Sequence, residues 1–173
     1  MTAASAGQSA VKAEVLQVRD LRVFYHTSAG AVKAVDGVSF TLAQGQRLSL
    51  VGESGCGKST AALALLRLIK PPGRIESGQI QLDGLDLARL SEEEMRRVRL
   101  AKISLVAQGA MNSLNPVARV KDQMMDGMKA HVTMSKRELE ERVDQLLEWV
   151  GLRREVKGLY PHELSGGMKQ RVC

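Results

Sequence analysis

The chain has 173 residues, of which 44% are hydrophobic and 3% are aromatic, and its formal net charge at pH 7 is +6. This length suits one domain with a sizeable core. So few aromatic residues exclude a stacking platform for single-stranded nucleic acid, and no long run of like charge forms a nucleic-acid-binding tail. We interpret the basic excess as a solvated surface that is favourable beside anionic lipid headgroups.

Signals for membrane insertion, secretion and disulfide formation are weak. No apolar stretch approaches the length of a membrane-spanning helix. Residues 1–13 are small and polar, without the apolar centre of a signal peptide, and we expect them to form a disordered tail. The chain has two cysteines, which give no disulfide framework.

Short strands separated by turns are predicted for the first part of the chain. Turns are expected at residues 26–30 and 36–37, between stretches of alternating apolar side chains. Residues 77–82 also alternate, and the turn pair Asp83-Gly84 follows them. These segments predict an antiparallel sheet. Its apolar positions include Leu16, Val18, Leu21 and Val23.

A glycine-rich loop is the strongest motif of the chain. Residues 52–60 read G-E-S-G-C-G-K-S-T, which matches the phosphate-binding pattern G-x-x-x-x-G-K-S/T. An apolar run at 47–51, predicted as a strand, precedes the loop, and a helical run at 61–66 follows it. Glycines let backbone N–H groups curl around phosphates, and the helix N-terminus adds further donors. The predicted phosphate-binding residues are Gly52, Gly55, Cys56, Gly57, Lys58, Ser59 and Thr60.

Three side chains of this loop have more specific expected roles. Lys58 can reach the β- and γ-phosphates of a bound nucleoside triphosphate, and the Ser59 hydroxyl can ligate Mg²⁺. Cys56 is expected to react with maleimide and to be protected by the bound magnesium–nucleotide complex; the alternative is a small residue at a permissive position. Downstream, Pro71 and Pro72 are expected to stop the helix.

Helical patterns dominate the second half of the chain. Ser91 and Ser135 each begin a capping box with a glutamate three residues later. An apolar stripe then runs to Gly151, with Trp149 off the stripe and expected against its flank. Methionines cluster before this helix, either as core filling or as an adaptable contact surface. The stripe contains Leu139, Val143, Leu146, Leu147 and Val150, and the methionines are Met124, Met125, Met128 and Met134.

Two further motifs accompany these helices. Gln108 follows the apolar run 103–106, which is predicted as a second strand, and a neutral amide at a strand end can ligate Mg²⁺ or orient water. Residues 164–171 read L-S-G-G-M-K-Q-R. Ser165 is a typical helix N-cap, and Gly166 and Gly167 leave backbone N–H groups uncovered, which predicts a second anion site.

With these motifs the chain resembles the ATP-binding subunits of ABC transporters, whose signature is LSGG followed by Gln or a substitute. The resemblance implies that two such subunits pair head to tail, so that Ser165, Gly166 and Gly167 of one close on the ATP of the other. It also implies that Tyr25 stacks on adenine. Gln108 would then be the Q-loop glutamine, which ligates Mg²⁺ and couples the site to membrane-spanning permease subunits.

Flanking segments narrow the resemblance to a subfamily. Residues 113–116 (S-L-N-P) and 160–163 (Y-P-H-E) are similar to importers for oligopeptides, dipeptides and nickel. Residues 109–110 (G-A) depart from the Asp-Pro that is usual there. The resemblance implies a peripheral protein on the cytoplasmic face of the cell membrane. It also implies an extracytoplasmic solute-binding protein as an indirect partner. The permease subunits and the solute-binding protein would determine which solute is transported.

The chain stops at Cys173, before the positions at which the family carries a Walker B aspartate, a catalytic glutamate and a switch histidine. We therefore expect it to bind ATP but to hydrolyse it poorly or not at all, and to be marginally stable, because a central strand would be missing. A truncated copy or a partial record would explain this ending. Two alternatives to an importer subunit stay open: a soluble ABC-type ATPase acting on nucleic acid, and a non-catalytic nucleotide-binding fragment.

The predicted fold class is α/β. It is a P-loop NTPase core of the ABC ATPase type, with a flanking antiparallel β-subdomain and an α-helical subdomain, incomplete at the C-terminus. The predicted boundaries are a tail at 1–13, the core with its β-subdomain at 14–111, the helical subdomain at 112–164, and the signature with the start of the next helix at 165–173.

Overall fold

The computed structural model describes residues 13–173. The predicted disordered tail therefore lies outside the described residues except for Ala13, whose carbonyl accepts a hydrogen bond from the Gln44 backbone N–H at 3.0 Å. The chain forms two compact units that divide between Arg96 and Arg97. In the described part of the chain no helix is both long enough and apolar enough to cross a bilayer.

The first unit is built on a four-stranded sheet. Its strands are β1 (Glu14–Thr27), β2 (Gly30–Ala43), β3 (Gly73–Leu82) and β4 (Leu85–Asp86). They are arranged in the order β2-β1-β3-β4, with every neighbouring pair antiparallel. The predicted antiparallel sheet is therefore confirmed. Its core contains Leu16, Val18, Leu21, Val23, Val35, Ile80 and Leu82.

The prediction of short strands was wrong, because β1 and β2 each run unbroken for 14 residues. Register shifts interrupt their pairing, one of them between Val18 and Leu21. Gly37, expected in a turn, lies within β2 at φ +80°. Arg22 donates to Asp20 at 3.0 Å and to Asp36 at 2.8 Å. The register shifts are typical of β-bulges, which absorb extra residues while the strand continues.

Two helices complete the first unit and its boundary. Helix α1 (Lys58–Leu65) ends before the predicted stop at Pro71, since Arg67 takes a left-handed φ of +53°. The Arg67 guanidinium donates to the Leu87 and Leu90 carbonyls. Helix α2 (Glu92–Val98) starts at the predicted capping box, in which Glu94 N–H donates to the Ser91 hydroxyl at 3.2 Å.

The second unit is helical. It contains α3 (Val120–Lys129), α4 (Lys136–Trp149) and α5 (Gly166–Val172), with 3₁₀ turns at Ala110–Ser113, Arg154–Gly158 and Pro161–Glu163. The predicted capping box begins α4, where the Ser135 hydroxyl accepts the Glu138 N–H at 3.3 Å. The core of the unit contains Val120, Met125, Leu139, Val143, Leu147, Leu152, Val156 and Leu164.

Trp149 does not pack against the apolar stripe of α4. Its side chain is 72% exposed, and the Arg142 guanidinium lies 4.7 Å from the ring centroid. The methionines before α4 divide between the two predicted roles. Met125 is buried in the core, Met124 and Met128 pack against it, and Met134 stays exposed.

The two apolar runs predicted as strands, at 47–51 and 103–106, are not strands in the structure. Val51 is 91% exposed and Val106 is 81% exposed. Apart from a single bridge between Arg99 and Ile103, neither run pairs within the described sheet. A parallel strand depends on backbone partners at its sides, so apolar composition alone does not produce one.

Candidate nucleotide-binding site

The glycine-rich loop leads directly into α1, which begins at Lys58. Gly55 and Gly57 take left-handed φ values of +82° and +96°, which glycine adopts without strain. The Gly57 carbonyl accepts the Ala61 N–H at 2.8 Å and so starts the helix. A Cβ at Gly57 would lie 2.1 Å from the Ala34 carbonyl oxygen. The loop therefore packs against β2 at a distance that only glycine allows.

The Lys58 side chain folds back over this loop. Its ammonium donates to the Gly52 carbonyl at 2.8 Å, to the Glu53 carbonyl at 2.6 Å and to the Cys56 sulfur at 3.3 Å. The first turn of α1 contains no acidic residue, so the positive end of the helix dipole is not offset locally. The loop thus presents a positioned cation together with a helix N-terminus, an arrangement suited to phosphate oxygens.

A cavity of about 200 Å³ lies beside the loop within the first unit. Gly57 and Lys58 line one side, and residues of β2, including Asp36, line the other. The Asp36 carboxylate is paired with Arg22 and with Lys33, at 2.8 Å and 3.3 Å. These pairings reduce its repulsion of an anion. The concave shape, the cationic side chain and the helix-end donors together suit an anionic ligand, and Ser59 and Thr60 lie in the first turn of α1.

Tyr25 lies near the end of β1, half-buried against β3. A Cβ on Gly73 would lie 2.5 Å from Tyr25 Cε1, so the ring rests on the glycine backbone. The neighbouring Phe24 is also half-buried, with the Lys33 ammonium 5.5 Å from its ring centroid. The cavity beside the phosphate loop is not lined by Tyr25. Adenine stacking on Tyr25 stays a prediction.

Gln108 belongs to the second unit, where it is exposed in a turn before the 3₁₀ segment. The S-L-N-P segment that follows is held by Gln123, a residue that the sequence analysis missed. Gln123 accepts the Asn115 N–H at 2.8 Å and donates to the Asn115 carbonyl at 3.1 Å and to the Ala118 carbonyl at 2.9 Å. The sequence did carry a signal for these contacts, which is a glutamine in the first turn of a helix that follows an Asn-Pro turn.

The signature motif begins α5 in the second unit. Ser165 is the N-cap, and its hydroxyl accepts the Met168 N–H at 3.3 Å. Leu164 is buried, whereas residues 165–167 are exposed. A Cβ on Gly166 or Gly167 would meet nothing within 4 Å. Packing among residues 13–173 therefore does not require these two glycines.

Cys56 gives a direct probe of the loop. We expect a maleimide to modify it readily, because the side chain is exposed, and bound MgATP to slow the reaction at least fivefold by covering the loop. Cys173 is an internal control, since it is also exposed but belongs to the second unit. The measurement is peptide mass spectrometry over a labelling time course. Equal slowing of both cysteines, or of neither, would contradict the prediction.

The loop, its lysine and the helix behind it define this chain as a P-loop nucleotide-binding protein. The family model described as ABC transporter matches residues 35–173. The chain therefore belongs to the ABC transporter family.

The chain is similar in sequence to curated peptide transport proteins. It is 43% identical over 161 residues to the oligopeptide transport ATP-binding protein OppD of Bacillus subtilis, a match that covers 91% of this chain and 45% of that protein. It is 41% identical over 162 residues to the dipeptide transport ATP-binding protein DppD of the same organism, covering 92% of this chain and 48% of the relative. The chain thus spans about half the length of these relatives.

Solved structures agree with the predicted fold class. A dimeric bacterial ABC transporter cassette superimposes with a TM-score of 0.73 at 22% identity, covering 91% of this chain and 66% of that one. The cbiO1 protein of Clostridium perfringens, part of an ABC transporter complex, gives a TM-score of 0.69 at 26% identity, covering 92% and 59%. The fold is that of an ABC ATPase cassette.

Proposed function

We propose that the chain is the ATP-binding subunit of an ABC-type importer, coupling ATP binding and hydrolysis to transport of peptides or a similar small solute. The observation that carries this proposal is the Lys58 ammonium held over a loop of left-handed glycines at the start of α1. The substrate class comes from the relatives OppD and DppD, which are oligopeptide and dipeptide transport proteins.

In this proposal the loop residues 52–60 hold the triphosphate of ATP. Lys58 exchanges its loop carbonyls for β- and γ-phosphate oxygens, and Tyr25 stacks on adenine. Ser59 offers an oxygen ligand of the kind that Mg²⁺ prefers, and the role of Gln108 stays a prediction. When bound, Mg²⁺ neutralises charge that develops on the phosphates during hydrolysis. The weak hydrolysis expected of the 173-residue chain by itself stays a prediction.

The signature is proposed to act on a second ATP-binding subunit. Gly166 and Gly167 are exposed, and neither a left-handed backbone nor packing against the described part of the chain demands glycine there. Close approach of another molecule remains as a physical reason for two adjacent residues without side chains. A γ-phosphate presented by a partner's phosphate loop would fit such a surface. One of the solved cassettes that superimpose on this chain is a dimer, which agrees with such a partner.

Nucleic-acid binding is not favoured as the alternative. Basic side chains of the helical unit are paired with acids, including Arg154 with Glu148 and Lys157 with Asp144 at 2.7 Å. These ion pairs leave less positive charge available than a protein needs to bind the phosphate backbone of a nucleic acid. The relatives OppD and DppD are transport proteins. Salt-sensitive binding to DNA or ribosomal RNA would overturn this conclusion.

Membrane-spanning permease subunits are the proposed partners, and an extracytoplasmic solute-binding protein would act through them. A groove of about 220 Å³ in the second unit suits a permease helix. Its lining includes Leu100, Val132 and Met134, which are 60%, 45% and 39% exposed. Arg142 also lines it. An apolar helix face carrying an acidic residue would complement it.

A substitution in this groove tests the proposed partner. Val132→Asp should reduce co-purification with the permease subunits at least tenfold, because it places a charge on an apolar contact. Val117→Asp is the matched control, since Val117 is 82% exposed and lies outside the groove lining. MgATP affinity should be unchanged in both variants. If both variants lose the permease equally, the groove is not the surface that binds the permease.

Calorimetric titration with MgATP tests the nucleotide site itself. We expect one saturable site per chain with heat released on binding, and competition by ADP. Sedimentation of the protein used must show that it is folded and not aggregated. A titration without any response at millimolar MgATP would refute nucleotide binding and with it the proposed function.

A further inference from the structure

Arg171 joins two parts of the second unit that are far apart in sequence. Its Nη1 donates to the Gly151 carbonyl at 3.1 Å, across 20 residues. Its Nε lies 3.4 Å from the Gly167 carbonyl, one turn earlier in α5. A single guanidinium thus contacts both the end of α4 and the signature. The planar fork of arginine permits two such bonds at once.

The Gly151 carbonyl is a favourable acceptor for this cation. Gly151 ends α4 with a left-handed φ of +69°, and its N–H donates to the Glu148 carbonyl at 3.0 Å. Its carbonyl lies just beyond the last helical residue, Trp149, and a cation near the C-terminal end of a helix is favoured by the helix dipole. The guanidinium of α5 therefore binds the turn that terminates α4.

Apolar side chains hold α5 against the core of the unit. Leu164 is buried, and Met168 and Val172 pack partly buried against the core of the unit. Apolar contacts of this kind set the depth of a short helix but carry little directional information, because the hydrophobic effect is non-directional. A hydrogen bond from Arg171 to a fixed carbonyl is directional, since it weakens steeply away from linear geometry.

We propose that Arg171 is the positioning residue of the signature motif. It ties α5 to the C-terminus of α4, and so fixes the direction in which Ser165, Gly166 and Gly167 present their backbone to a partner's nucleotide. This inference rests on the proposed function for its biological meaning, but its structural part can be tested alone.

Amide hydrogen exchange of the full chain tests the structural part. Arg171→Met should speed exchange at Met168 and Lys169, whose N–H groups bond to Ser165, by about three- to fivefold, as expected for one surface hydrogen bond. Amides in the middle of α4, at Val143 and Leu147, should not change. Exchange that is unchanged at both sites, or faster throughout the unit, would overturn the proposal.

Two further variants separate positioning from general stability. Arg171→Lys keeps a cation that reaches the Gly151 carbonyl, so it should restore at least half of the lost protection; no restoration would also count against the proposal. Arg137→Met is the matched control, since Arg137 is an exposed arginine at the other end of α4 that pairs with Glu141 at 2.9 Å. It should leave Met168 and Lys169 unaffected.

A nucleotide arm distinguishes this inference from the proposed function. Arg171→Met should bind a fluorescent ATP analogue as the wild type does, because the phosphate loop belongs to the first unit, while MgATP-dependent self-association should weaken about fivefold. A wild type that fails to bind the analogue refutes the proposed function and leaves the exchange result standing. A variant that self-associates as strongly as the wild type overturns the inference.

Discussion

Replacing Lys58 by alanine should weaken ATP binding at least a hundredfold. The ammonium makes hydrogen bonds of 2.8 Å and 2.6 Å to the Gly52 and Glu53 carbonyls, so it is already positioned over the loop. Bound phosphate would take the place of these neutral acceptors. Hydrogen bonds between charged groups contribute about 1.5–3 kcal/mol each, and the loss of two corresponds to about two to four orders of magnitude in affinity.

The measurement is a titration with a fluorescent ATP analogue, alongside thermal melting of each variant. Lys70→Ala is the matched control, because it removes the same charge from an exposed lysine of the same unit. Its affinity should stay within twofold of the wild type. Since Lys58 also bonds the loop to itself, a small loss of stability is expected. An affinity of Lys58→Ala within threefold of the wild type would show that phosphate is bound elsewhere.

Local chemistry made several features predictable from the sequence. Ser91, Ser135 and Ser165 were all expected at helix starts, and each caps a helix in the structure. A cap depends on residues within one turn, so it can be recognised without knowing the rest of the fold. The same holds for the turn at Asp83 and Gly84, whose φ values are +48° and +79°.

Features that depend on distant partners were not predictable. The runs 47–51 and 103–106 have the composition of buried strands, but a strand also needs a neighbour, which composition does not supply. Trp149 was expected against the flank of the apolar stripe, whereas its side chain is 72% exposed and the Arg142 guanidinium, two turns earlier in α4, stacks on its ring. Arg171 was overlooked for the same reason, since its acceptor at Gly151 lies 20 residues away.

Gly57→Ala should destabilise the first unit by about 3 kcal/mol or more and abolish ATP binding. Two penalties combine at this position. A left-handed backbone at φ +96° costs a residue with a Cβ about 1–2 kcal/mol. The Cβ would also lie 2.1 Å from the Ala34 carbonyl oxygen. That atom is backbone of β2 and cannot rotate away, so the loop and the start of α1 must move off the sheet.

Gly55→Ala separates the two penalties. Gly55 has a similar φ of +82°, but a Cβ there would meet nothing within 4 Å. It should therefore cost only the backbone strain, about 1–2 kcal/mol. Urea unfolding of both variants, with the affinity for the ATP analogue measured beside it, tests this difference. Equal destabilisation by the two substitutions would mean that the loop does not press on β2. In that case the close approach of Gly57 to Ala34 would not be what holds the phosphate loop in place.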